Sequence, residues 1–424
     1  MNCTQNLKIN QVTEQTLIVG IDIASVTNYA RAFDWRGIEK AKVFKFNNSL
    51  EGFQAFKQWT NAVMSANNLS KLLVAAEPTG HYWFGLADYL KDEEIKLVLV
   101  NPFSVNRAKE LDDNHPSKTD AKDPKTIAML VKDGRFMEPY IPEGVYADLR
   151  IMYNCRQKVV KSIIMLENQL QRWFKIYFPE YMDVFGKFSG KASIIVLEHA
   201  ALPEDIIKLG AEGINKLWRD EKLRAVGMSR ATSLYEAAIS TIGRKEGAIG
   251  ARTEFNMLWD DYKFKLEQLE KLTQEMEAIL GKVPHASELL KIKGIGVVSL
   301  AGFFAEVGDL RRFDSPKQIQ KLAGFGIKEN SSGKHKGQTT ISKRGRARLR
   351  AILFQAALVL VGKNEAFSSI HKYYTTRKYN PLEKKQSVVA VCCKLIRVIY
   401  ALTKKGHVYD ESKMIGDIRR ETVA

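Results

Sequence analysis

Residues 17–23 read LIVGIDI, an apolar run with Gly20 inside it and Asp22 near its end, and the architecture of the first third of the chain follows from it. A run this short and this apolar suits a buried strand. Side chains alternate between the faces of a strand, so Ile21 and Ile23 point one way and Asp22 the other. Two alternating segments follow, at residues 29–34 and 42–46, in the pattern of an antiparallel meander. Residues 50–66 carry helical spacing through Phe53, Phe56, Trp59 and Val63. Residues 72–76 form a second buried-strand run, closed by Glu77-Pro78-Thr79-Gly80. A helix near residues 82–90 leads to a strand at 96–100, which Asn101-Pro102 stops, and a helix runs through Ile127 and Leu130. Three strands, a helix, a strand, a helix, a strand and a helix make the element order of an RNase H-like fold, an order that other α/β sheets share.

Outside this block the chain turns helical. Leu149, Met152, Val159, Ile163, Leu166, Leu170, Trp173 and Tyr177 step by threes and fours, interrupted once by Arg156. Tyr262, Leu266, Leu269, Thr273, Met276 and Leu280 repeat the step. This is the coiled-coil period, which fits an antiparallel hairpin within one chain, a seam between two chains, or ordinary amphipathic helices on their own domain. Residues 180–250 carry no interpretable motif. From Pro284 a third block begins, where Leu290-Lys291-Ile292-Lys293-Gly294-Ile295-Gly296 precedes an apolar helix at 297–307. That is the layout of a helix-hairpin-helix, whose turn amides lie against a DNA phosphate, and equally of a glycine turn between two core helices. The expected domains are residues 15–140 (α/β), 145–283 (helical, coiled-coil) and 284–405 (mainly α).

The 424 residues exceed one ordinary core, and 45% hydrophobic with 27% charged residues is the composition of a folded protein. A formal net charge of +17 points to a polyanionic partner, because Lys and Arg release counterions from phosphates. The four cysteines, Cys3, Cys155, Cys392 and Cys393, form no C-x-x-C pair, which argues against a zinc knuckle or a disulfide framework. The polar N-terminus lacks a signal-peptide layout, and no stretch reads as apolar enough to span a bilayer. The expectation is a soluble cytoplasmic protein beside the nucleoid, with no membrane partner.

Four carboxylates stand out. Asp22 lies on the first strand, Glu77 ends a later one, and Asp120 and Asp123 are three apart in KTDAKD, ahead of a helix. That spacing projects both from one side of a helix. Neighbouring strands and a helix across them would gather all four, and such a set repels itself unless a divalent cation neutralises it. Mg²⁺, which takes hard oxygen ligands and leaves sites for phosphate oxygens, suits it, and the expectation is a pair of ions for which Mn²⁺ can substitute. Asp112 and Asp113 are assigned to the loop before the helix. A second constellation comprises Leu322-Ala323-Gly324-Phe325-Gly326, Asn330-Ser331-Ser332-Gly333, and residues 334–350 with seven cations and no acid: Lys334, Lys336, Lys343, Arg344, Arg346, Arg348 and Arg350. Glycines let the backbone approach a ligand, and the cations, with Lys293, Gly294 and Gly296, would hold phosphates. From the residues alone the serine before glycine reads first as a hydrogen-bond donor in a phosphate-positioning loop, and second as a nucleophile on phosphorus, which would need a base or metal.

Together these features resemble the IS-one-ten, or DEDD, transposases, a family that includes bridge-RNA-guided recombinases and a pilin-gene invertase. GIDI with Asp22, AAEPTG with Glu77, VNP at 100–102, KTDAKD with Asp120 and Asp123, and SSG before ISKRGRARLR fall in family order over nearly the whole chain. The resemblance implies a RuvC-like (RNase H fold) N-terminal domain, a C-terminal transposase domain, and metal ligation by Asp22, Glu77, Asp120 and Asp123. It implies that Ser332 attacks DNA to form a covalent phosphoserine, with Ser331 as the neighbouring alternative. It also implies double-stranded DNA at the element ends and target, a structured guide RNA, and a homo-oligomer, dimer or tetramer. Three other readings are open: a protein-guided invertase of the same fold, a RuvC-like structure-specific nuclease using water, and a non-catalytic architectural DNA binder. Pro124 and Lys125 directly after Asp123 suggest a helix starting near Asp123.

Overall fold

Strand β1 (Thr16–Asp22) is buried along its whole length save the last residue, which fixes it as a central strand covered on both faces. The computed structural model describes residues 4–78, 80–112, 122–328, 331–332, 335–336, 339–406 and 408–416. The chain folds as two units, Met1–Ile141 and Pro142–Ala424.

In the first unit, α1 (Thr4–Ile9) precedes β1. Then come β2 (Thr27–Phe33), β3 (Phe44–Asn47), α2 (Leu50–Ala66), β4 (Lys71–Ala76), α3 (Trp83–Asp92), β5 (Lys96–Val100), α4 (Pro102–Asp112), α5 (Lys122–Lys132) and β6 (Phe136–Met137). The six strands form one sheet in the order β3-β2-β1-β4-β5-β6. β1 pairs antiparallel with β2 and parallel with β4, β4 is parallel to β5, and β6 closes the edge antiparallel to β5. The period-two pattern divides the core. Leu17, Val19, Ile21, Val74 and Ala76 pack with Phe53, Phe56 and Leu86 from α2 and α3. Ile18, Leu73, Ala75, Val98 and Val100 meet Ile127, Ala128 and Val131 of α5 on the other face. The Ser49 hydroxyl caps α2 by accepting from Gly52 N at 3.2 Å.

Three elements of this unit escaped the sequence reading, among them the six-residue α1 in a polar stretch. Asn101-Pro102 ends β5 but also starts α4, since the Asn101 side chain accepts from Phe103 N at 2.9 Å and proline sits at the first helical position. Asp112 therefore ends a helix and is not in a loop; Asp113 lies outside the described residues. Strand β6 has only two residues, too few to leave a periodic signal.

The second unit is helical, with α6 (Gly144–Tyr177), α7 (Tyr181–Phe185), α8 (Lys191–Leu197), α9 (Pro203–Asp220), α10 (Met228–Ile239) and α11 (Ala248–Leu280) first. Helices α6 and α11 are an antiparallel hairpin within one chain. Arg156 Nε donates to Thr273 Oγ1 at 3.3 Å, Tyr262 OH to Glu167 Oε1 at 3.5 Å, and Trp173 Nε1 to the Ala251 carbonyl at 2.9 Å. Arg156, which broke the seam in the sequence, thus meets the polar seam residue of the partner helix, and burial disfavours its charge. Leu266, expected in the seam, is 37% exposed. Residues 180–250 close the hairpin's far end, where Trp218, Leu234 and Ile206 share a core with Trp173, Phe174, Phe255 and Trp259.

The remainder comprises α12 (Ala286–Leu290), α13 (Val297–Val307), α14 (Pro316–Leu322), β7 (Ile327–Lys328), β8 (Ser331–Ser332), β9 (His335–Lys336), β10 (Thr340–Ile341), α15 (Ala347–Lys363), α16 (Glu365–Thr376), α17 (Lys384–Lys405) and α18 (Glu411–Met414). Helix α17 corrects the expectation about apolar stretches, because residues 384–404 are long and apolar enough to cross a membrane. More than half of that stretch is buried, with Val391, Leu395 and Ile399 in a core shared with α13 and α15, as befits a central helix.

Candidate active site

Asp22 and Glu77 leave the sheet side by side. Parallel pairing matches Gly20 with Ala75 and Ile21 with Ala76, so the next residues, Asp22 and Glu77, stand at the carboxyl ends of adjacent strands. Such strands run about 4.8 Å apart. Alternation puts both acids on the face covered by α5, the face of Ala75 and away from Ile21 and Ala76. Gly20 permits the close approach of that helix, since a Cβ there would lie 1.9 Å from the Pro124 carbonyl oxygen. The first turn of α5 therefore rests on β1 two residues before Asp22, and Asp123 belongs to that turn.

The electrostatics of this corner are legible. Glu77 is half-buried, and burial raises its carboxyl above the ordinary range; Asp123 adds to the rise and Lys109 opposes it. Lys109, in the last turn of α4, holds Asp123 through a 2.6 Å contact from Nζ to Oδ2. Asp120 lies outside the described residues, as does the question of whether it shares a helical face with Asp123, for α5 begins at Lys122. Among the described residues no three His, Cys, Asp or Glu side chains are grouped closely enough to hold an ion. The donor chemistry of Asp22, Glu77 and Asp123 nonetheless suits a hard divalent cation: carboxylate oxygens at one corner of the sheet, with a lysine already supplying positive charge there. Lys109 was missed in the sequence because α4 was; a lysine in a helix ending near an acidic motif was the available signal.

In the second unit the serine motif is a ribbon. β7 pairs with β10 through Lys328 and Thr340 and through Ile327 and Ile341, while β8 pairs with β9 through Ser331 and Lys336 and through Ser332 and His335. Ser332 is the last β8 residue before the short connection to β9. Lys334 and Gly333 lie outside the described residues, and so do the side chains of Ser331, Ser332 and Lys336. Two glycines fasten the ribbon to its own domain. Gly324 (φ +75°) abuts Lys343, and Gly345 (φ +156°) abuts the Leu322 carbonyl at a distance that admits no Cβ.

Three of the seven cations are likewise structural. Arg346 donates to the Glu306 carbonyl and carboxylate, and Arg348 to Asn154 Oδ1 and the same carboxylate. Arg350 Nη1 donates to the carbonyls of Ala323 at 3.0 Å and Lys343 at 3.3 Å. Guanidinium forks suit such multiple acceptors, and Arg348 keeps 47% of its side chain exposed beside them. Lys343 and Arg344 are exposed. Arg344 lines a groove with Lys317, Gln320, Lys321 and Ser342 at the ribbon's foot, and the two lysines come from α14, outside the basic run read in the sequence. The glycine turn resolves toward packing: α12 has only five residues, and Gly294 (φ +105°) lies against Leu360 of α15. Gly296 caps α13 with open space before it, beside exposed Lys293.

Comparisons with known proteins find two matches along the chain. A DEDD transposase model of the IS110 type matches residues 19–179, and the model described as "Transposase IS116/IS110/IS902 family" matches residues 286–374. The chain is 24% identical over 373 residues to the pilin gene-inverting protein of Moraxella bovis, covering 86% of this chain and 90% of that one. It is 21% identical over 307 residues to an uncharacterized 43.6 kDa protein of insertion element IS110 in Streptomyces coelicolor, covering 70% and 73%. It is 26% identical over 154 residues to the transposase of insertion sequence IS1328 in Yersinia enterocolitica, covering 36% and 46%. Both family models fall in order on one chain, the first over the α/β unit and helix α6, the second over α12 to α16, and the chain belongs to the IS110 family of insertion-sequence transposases, enzymes that process DNA.

Proposed function

We propose that this transposase cuts and rejoins DNA strands through a centre built from Asp22, Glu77, Asp120 and Asp123 together with Ser332. The observation that carries the reading is the register that sets Asp22 beside Glu77 under a helix whose first turn holds Asp123. The sheet order, with an antiparallel β1–β2–β3 meander and parallel β4 and β5, supports an RNase H, RuvC-like identity for residues 15–140. Residues 145–283 then serve as the helical spacer and 284–405 as the transposase domain bearing the serine.

Each group has a physical task. The acids would hold Mg²⁺, or Mn²⁺ in its stead, and a bound divalent ion supplies charge for a phosphate in the course of displacement. The Ser332 hydroxyl attacks a DNA phosphorus, a phosphoserine ester forms, and the sugar oxygen leaves and takes up a proton. The ester conserves the bond for rejoining. Lys317, Lys321 and Arg344 in the groove at the ribbon's foot, with exposed Lys343 next in sequence, attract the phosphate backbone. None of these elements reads base sequence, which fits specificity delegated to a structured guide RNA acting by base pairing. The acids and the serine belong to different units, which fits assembly of the centre in a homo-oligomer.

Protein-guided inversion is the second reading, favoured by the pilin gene-inverting relative matched over most of both chains. The test incubates purified protein with element-end DNA and Mg²⁺ and stops the reaction with denaturant. A covalent protein–DNA adduct that is lost in Ser332→Ala and kept in Ser331→Ala is expected. Undiminished cutting by Ser332→Ala would instead indicate a nuclease using water, and strand exchange by protein freed of all RNA would favour the second reading.

A further inference from the structure

Lys109 sits where the proposed centre needs a cation and is itself one. Its ammonium reaches Asp123 Oδ2 at 2.6 Å and favours the ionised form of Glu77, which burial and the neighbouring Asp123 disfavour. Both partners of the ion pair retain roughly a third of their exposure, 31% and 28%, so the pair faces solvent and can open. Helix α4 carries Lys109 one turn beyond buried Val105, which anchors the helix. While the pair is closed, one of the proposed ligand oxygens is turned to lysine.

We infer that Lys109 is a resident counter-ion of the acid centre, which a divalent cation must displace from Asp123 before the centre is charged. This rests on the reading of the acids as metal ligands. Lys109 holds the acids together without metal and sets the metal concentration at which the enzyme switches on. A unit charge about 6 Å from a divalent ion in a water-like dielectric weakens binding about tenfold. Removing it tightens binding by that factor.

The experiment measures Mn²⁺ binding to the full-length protein without DNA, by loss of the free-ion paramagnetic resonance signal. Lys109→Met is expected to bind Mn²⁺ about tenfold more tightly than wild type. Lys109→Arg, which keeps the charge, should remain within about twofold of it. The metal-free Lys109→Met protein should also unfold at a lower temperature and recover as Mn²⁺ is added; Lys109→Gln repeats both measurements should the methionine variant fold poorly. Equal or weaker Mn²⁺ affinity in Lys109→Met and Lys109→Gln, with wild type binding normally, overturns the role of Lys109 alone. A wild type that binds no Mn²⁺, indistinguishable from Asp123→Asn, overturns the metal reading and this inference with it.

Discussion

Replacing Gly20 by alanine tests how the acid corner is built. The new Cβ would lie 1.9 Å from the Pro124 carbonyl oxygen, 2.9 Å from its carbon and 3.0 Å from Ala128 N, all backbone atoms of α5. No rotamer relieves such a clash, so α5 must retreat by about 1.5 Å to restore ordinary contact. Overpacking of this kind costs about 1–3 kcal/mol, a large share of a marginal stability. The retreat also carries Asp123 away from Asp22 and Glu77, and a misplacement of about 1 Å can cost about 100-fold in rate. Hydrogen–deuterium exchange, read peptide by peptide, should show lost protection in β1 and α5 with the helices of the second unit unchanged. Strand exchange on element-end DNA should fall by about two orders of magnitude. Wild-type protection in β1 and α5 together with wild-type strand exchange would refute the argument that Gly20 exists to seat α5.

Two further outcomes follow from the charges. Burial raises the Glu77 pKa, so folding disfavours its ionised form: the penalty is absent below the ordinary carboxylate range and complete once pH exceeds the raised value. Glu77→Gln in chelator should therefore raise the unfolding midpoint at pH 7 by about 1–3 °C and lose this advantage near pH 4, as differential scanning fluorimetry would register; a pH-independent difference would contradict the assigned cause. Glu306→Ala strips Arg346 and Arg348 of their shared carboxylate and should cost about 1–3 kcal/mol in urea unfolding with little direct effect on phosphate contacts. Arg344→Ala should leave stability unchanged and lower by about one the slope of log affinity for DNA against log salt, so an unaltered slope would remove Arg344 from the phosphate track.

Much of the first unit was legible because period two and period 3.6 are properties of the local chain. The limits of α2 and β5 fell where the pattern put them, and the position of Asp22 opposite Ile21 follows from alternation alone. Helix α4 was not legible, since Asn101-Pro102 is both a strand stop and a helix start and only the partner of the Asn101 side chain decides between them. The seam of α6 and α11 was visible as a repeat, but the repeat held no information on whether its partner lay in the same chain.

Composition and spacing by themselves determined a basic chain with an α/β start, two long amphipathic helices, and acids and a serine motif in family order. Tertiary structure alone decided that Asp22 and Glu77 end adjacent strands, that Lys109 answers Asp123, and that Arg346, Arg348 and Arg350 find partners within their own protein. The division has one physical reason. Backbone periodicity is written in neighbouring residues, whereas the partner of a charge is chosen by contacts between residues far apart in sequence, and a lysine or arginine looks the same in the sequence whichever carboxylate, carbonyl or phosphate it will meet.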